Sequence, residues 1–128
     1  MLPSEGLVEP DLRQLAAAEA ARLRTRLGTS NPLAIARLLG VEVRRRRRRS
    51  RADADAGIRS EYSTDPPAIL VYDRTNASVG IAHELFHHGQ CRGLLAPALC
   101  ALSGEEAEAC AHVFAEVLTG RRGAGDVD

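Results

Sequence analysis

Residues 69–90 read ILVYDRTNASVGIAHELFHHGQ, and a change of period inside this stretch decides the fold. Ile69 to Tyr72 is a short apolar run of the kind that pleats into a strand. From Ile81 the apolar residues instead recur at Ala82, Leu85 and Phe86, the spacing of one helical face. Asp73 ends the strand, Asn76 or Ser78 is placed to cap the helix, and the helical spacing extends to about Gln90.

Upstream, Leu12, Leu15, Ala16, Ala20, Leu23 and Leu27 recur at helical spacing, with Asp11 positioned to cap the start and Gly28 to end it. Asn31 and Pro32 read as N-cap and first position of a second, short helix closed by Gly40. Val41-Glu42-Val43 then alternates, Ile58 to Tyr62 is a second candidate strand, and Ala56-Gly57 and Asp65-Pro66-Pro67 are turns. Downstream, residues 91–103 contain Gly93, Pro97 and Ser103 and read as a loop with room for a helical turn. A last helix is expected from about Gly104 to Leu118, with Ala107, Ala111, Phe114 and Leu118 as its buried stripe. The order helix, helix, three strands, helix, helix predicts an α+β domain around a small antiparallel sheet. One domain over residues 1–128 is expected, with a core at 11–119, an Arg-rich loop at 44–56 and a polar tail at 120–128.

Composition narrows the function. The chain has 128 residues with 17 basic and 17 acidic side chains, so no net charge steers it toward one class of partner. Aromatics are 3% and Trp is absent, which removes the stacking platform that single-stranded nucleic acid requires. Arg44 to Arg49 and Arg51 form a basic run. Every basic residue of the chain is Arg, however, so the run reads as a solvated loop and direct nucleic-acid binding is not expected. No apolar stretch approaches the roughly 18 residues of a membrane span, and the acidic N-terminus lacks the pattern of a secretion signal. Cys91, Cys100 and Cys110 are odd in number and lack paired spacing. These features together predict a cytoplasmic protein without a disulfide framework.

His83-Glu84-Leu85-Phe86-His87 is an H-E-x-x-H motif on the expected helix. Histidines four apart lie one above the other, about 6 Å along the axis, so both rings reach one ion. Glu84, rotated about 100°, lies beside a water on that ion, where a general base belongs. Zinc with an open position takes three protein ligands. Cys91 continues the stripe but stands about 12 Å from His83 along a helix, too far to share an ion. The third ligand then comes from the last helix, where Glu105, Glu106 and Glu108 are available.

With HELFHH followed by GEEAEACAHVFAEVL, the chain resembles the ImmA/IrrE family of metallopeptidases, whose metal helix precedes a helix of the form E-x-x-A-N/D-x-F-A-x-x-L-L. NPLAIARLLGVEV and AILVYD are similar to the family's opening helix–Gly–strand and to the strand before its metal helix, so the likeness covers roughly residues 12 to 118. The resemblance implies a gluzincin-type zinc peptidase in which His83, His87 and Glu108 bind one zinc ion and Glu84 is the base; from the residues alone, Glu105 stands as the alternative third ligand. Manganese or iron would suit the same ligand types. It also implies a protein substrate, a DNA-binding helix-turn-helix repressor.

Three positions depart from the family pattern: Phe86 stands where Gly is common, His112 replaces Asn or Asp, and Cys110 stands where Glu is frequent. His112, one turn after Glu108, is expected to donate to a ligand or to a developing oxyanion. Tyr62 and Tyr72 are further candidate donors from the sheet. His88 points about 100° from His87 and is expected not to be a ligand, and Cys110 reads as a buried, inert thiol. The alternative function is a module that keeps the fold but has little or no activity and sequesters a regulatory protein.

Overall fold

The computed structural model describes residues 11–46, 60–72 and 77–120. Among these the chain forms five helices and a three-stranded sheet: α1 (Leu12–Leu27), α2 (Pro32–Leu38), β1 (Glu42–Arg45), β2 (Ser60–Thr64), β3 (Pro67–Val71), α3 (Ala77–Arg92), α4 (Pro97–Cys100) and α5 (Gly104–Thr119). The architecture is α+β. Local chemistry accounts for the helix ends. The Asp11 carboxylate accepts from the amides of Arg13 and Gln14 at 3.0 and 3.2 Å, and Asn31 caps α2 ahead of Pro32 in the same way. Gly28 ends α1 in the left-handed region at φ 72°, where a side chain would be strained.

The sheet differs from the expected antiparallel one. Its order is β1-β3-β2, with β2 antiparallel to β3 but β1 parallel to it. The tight turn at Asp65-Pro66 returns the chain beside β2, so that pair is a hairpin. β1 runs parallel to β3 because β2, which runs opposite to both, brings the chain back to the starting end of the sheet before β3 begins. Alternation within each strand reports which face is buried, not which strand is its neighbour or in what direction, so the sequence pattern left this open.

Several boundaries also move. The middle strand runs Ser60–Thr64, so the expected start at Ile58 and the Ala56-Gly57 turn lie outside the described residues. The third strand begins at Pro67, whose missing N–H is tolerated at a first strand position, and stops at Val71, leaving Tyr72 just past it. Arg44 and Arg45, expected to open an Arg-rich loop, belong to β1 and pair with Leu70 and Val71, while residues 47–56 of that loop lie outside the described residues. The helix carrying H-E-x-x-H runs to Arg92, two residues past Gln90. Asn76 lies outside the described residues, and Ser78 falls within the first turn of α3 rather than capping it. Of the polar tail, residues 121–128 are likewise not described.

Helix α5 packs against both α1 and α3, and α3 in turn touches α2, α4 and the sheet. Small residues make this close: Ala16 and Ala20 of α1 and Ala111 and Ala115 of α5 are all fully buried. Phe86 of α3 and Phe114 of α5 meet edge to face, with ring centroids 5.5 Å apart, and are the two largest fully buried side chains. Phe86 is thus a core anchor between the helix that carries the motif and α5. Arg24 adds a polar tie, donating at 3.0 Å to the Val117 carbonyl and holding the last turn of α1 against α5.

On its other side α3 lies against the sheet, and the match there is one of periods. Two residues along a strand advance about 6.7 Å and four along a helix about 6 Å, so alternate residues of β2 keep step with every fourth residue of α3. Ser60 Oγ donates to Glu84 Oε2 at 2.7 Å, the Tyr62 hydroxyl meets His88 Nδ1 at 2.7 Å, and Arg92 donates to the Thr64 carbonyl at 2.9 Å. Gly80, a turn before Glu84, continues the same stripe, with its backbone close to the Ser60 side chain. This polar ladder fixes the rotation of α3 about its axis. Its neighbouring stripe, His83 and His87, therefore lies between the edge strand β2 and helix α5.

Candidate metal centre

His83 and His87 meet edge to face, with ring centroids 5.2 Å apart and planes inclined at 64°, as neighbours one turn apart on a helix can. Across from them Glu108, in the second turn of α5, places its carboxylate between the rings. His83 Nε2 is 2.8 Å from one carboxylate oxygen and His87 Nε2 is 3.1 Å from the other. Among the described residues these three form a group whose ligand atoms all lie within 4.8 Å of one another. Each ring is about three-quarters buried, whereas Glu108 is 60% exposed, so the cluster opens to solvent on the α5 side.

The donor set fits a zinc ion. One ligand atom from each of the three residues lies within 4.8 Å of the others, and tetrahedral bonds of about 2.0–2.1 Å would hold such atoms about 3.3 Å apart, a change that side-chain rotation can supply. Two imidazole nitrogens and one carboxylate leave a fourth position for water or a substrate carbonyl.

Glu84 is 7% exposed and is held by Ser60. The bond to Ser60 is made by Oε2. His87 is held in turn by Gln90, whose side-chain oxygen is 3.2 Å from His87 Nδ1.

The remaining candidates are occupied elsewhere. His112 is 63% exposed, and its Nε2 meets Glu116 at 2.9 Å within α5. The Tyr62 hydroxyl is bonded to His88 and that of Tyr72 donates to Glu61 at 3.1 Å, so Tyr62 ties the sheet to α3 and Tyr72 ties the end of β3 to β2. Glu105 is exposed in the first turn of α5 and is not one of the three clustered residues. His88 is 3% exposed and turned toward Tyr62. Cys110 is fully buried, and burial, with Glu106 nearby, pushes its thiol above the ordinary range. Cys91, Cys100 and Cys110 are all free. Sequence reasoning missed Ser60 and Gln90. Neither belongs to a ligand motif, and the only signal was that a strand residue and a helix residue would each face the H-E-x-x-H turn.

No family model, curated protein or solved structure matches this chain.

Burial holds His88 below the ordinary imidazole range, and the nearby Arg92 cation adds to the effect. Unfolded His88 takes up a proton near about pH 6.5. The folded residue resists until a lower pH, so between those two values the unfolded chain binds more protons and stability declines as the pH falls. Chain stability from His88 is thus greatest above about pH 6.5. In the His83→Gln/His87→Gln double variant, which retains only His88 and His112 of the four histidines, the His88 ring should titrate by NMR at lower pH than a histidine in an unstructured peptide. Titration at or above that value would contradict the assignment.

Proposed function

We propose that the protein is a zinc-dependent endopeptidase that hydrolyses a peptide bond in a specific protein partner. The observation that carries this reading is the convergence of His83, His87 and Glu108 from two helices, with Glu84 one position along the same turn. A zinc ion bound there supplies Lewis acidity to a carbonyl and lowers the pKa of a water toward about 7. The protein's own residues do the rest. Glu84 accepts the proton of the attacking water and returns it to the departing amine, while Ser60 keeps the carboxylate from rotating away.

The partner follows from the resemblance noted for residues 83–88 and 104–118: a helix-turn-helix repressor, cut to release the genes it silences, in the cytoplasm. A second reading, sequestration of that partner without cleavage, is favoured by the burial of Glu84 and its engagement with Ser60. Incubating the protein and zinc with a helix-turn-helix regulator encoded beside it separates the two. Cleavage at one bond, stopped by a chelator, is the expected result. A stoichiometric complex that stays intact would replace the peptidase reading with the second.

A further inference from the structure

We propose that Gln90 is a positioning residue for the metal centre, fixing His87 so that Nε2 faces the ion. This role rests on the metal-centre reading above and adds a residue that the ligand motif does not contain. The inference follows from the chemistry of the carboxamide. Gln90 Nε2 lies 2.8 Å from the Leu99 carbonyl and 3.2 Å from the Leu102 carbonyl. Carbonyls only accept, so the amide NH2 must face them and the amide oxygen must face the other way. That oxygen lies 3.2 Å from His87 Nδ1. An oxygen of this kind also only accepts, so Nδ1 must carry the proton. A neutral imidazole with its proton on Nδ1 has its lone pair on Nε2; the Glu108 oxygen 3.1 Å away also only accepts, so the two call for a cation between them.

The anchor is firm as well as correctly oriented. Leu99 is fully buried, so the carbonyls that hold Gln90 belong to a segment tied into the core. The chain from α4 to Ser103, whose sequence gives no hint of a role, thereby reaches the metal centre through a single side chain. Such an outer partner typically changes metal affinity by about 10–100-fold.

Two substitutions separate positioning from mere support of the loop. Gln90→Met keeps the length and removes both functions. Gln90→Glu keeps an acceptor for His87 but sets a carboxylate against the Leu99 and Leu102 carbonyls. Zinc affinity, measured by competition with a chromophoric chelator, should fall about 10–100-fold in Gln90→Met. Gln90→Glu should bind zinc more tightly than Gln90→Met even though its metal-free form melts at a lower temperature than the wild type. In 15N-labelled, zinc-loaded wild type the His87 Nδ1 proton should appear as a protected, hydrogen-bonded resonance that Gln90→Met loses. Unchanged zinc affinity in Gln90→Met, or equal losses in both variants that follow their melting temperatures, would overturn the proposal. Failure of the wild type itself to bind zinc would instead overturn the metal centre.

Discussion

Replacing Glu84 with Gln should leave zinc uptake intact and slow hydrolysis of the partner by about 10²–10⁴-fold, the usual contribution of a positioned general base. The amide is nearly the same size and still offers an oxygen to the Ser60 hydroxyl, so the contact between β2 and α3 survives. What it lacks is basicity. Cleavage of the partner under single-turnover conditions, with metal content measured on the same sample, tests both halves together. A variant that keeps its metal and cuts at the wild-type rate would remove Glu84 from the reaction. A variant that loses its metal would make Glu84 a structural support of the site instead.

The second large effect is expected from Glu108→Ala. Ligand binding to the folded state alone stabilises it by about 2.7 kcal/mol at a hundredfold excess over Kd, on the order of 10 °C in Tm for a domain of this size. Wild-type protein should show such a zinc-dependent rise, and Glu108→Ala should lose most of it. Without metal the two should melt within a few degrees of each other, because Glu108 is 60% exposed and ion pairs at such positions contribute about 0–1 kcal/mol. Glu105→Ala, one turn earlier and outside the cluster, should keep the full zinc-dependent rise. If Glu105→Ala loses the rise and Glu108→Ala keeps it, the carboxylate assignment is reversed.

The extent to which the sequence foretold this arrangement depended on the range of each interaction. Caps and helix faces are local, so Asp11, Asn31 and the stripe through Ile81, Leu85 and Phe86 could be read directly. The direction of β1 could not, because strand pairing is decided across a connection whose path leaves no mark on alternation. At the site, spacing brought His83 and His87 together, since both lie on one helix. That Glu108 stands across from them depends on the packing of α3 on α5 through Phe86 and Phe114, a contact between distant segments. The tyrosines show the opposite failure. A hydroxyl on a strand is legible as a donor, but only the fold reveals that Tyr62 answers His88 and Tyr72 answers Glu61. Ser60 and Gln90 went unread because each acts through a partner brought near by tertiary structure.

The central claim is that two imidazoles from α3 and one carboxylate from α5 hold a single ion. X-ray absorption at the zinc edge, on protein loaded with one equivalent and freed of excess, tests it most directly. The expected spectrum has low coordination number, with two imidazole nitrogens at about 2.0–2.1 Å and oxygen at about 2.0–2.2 Å. A shell of sulfur, or of water oxygens without the imidazole signature, would contradict it.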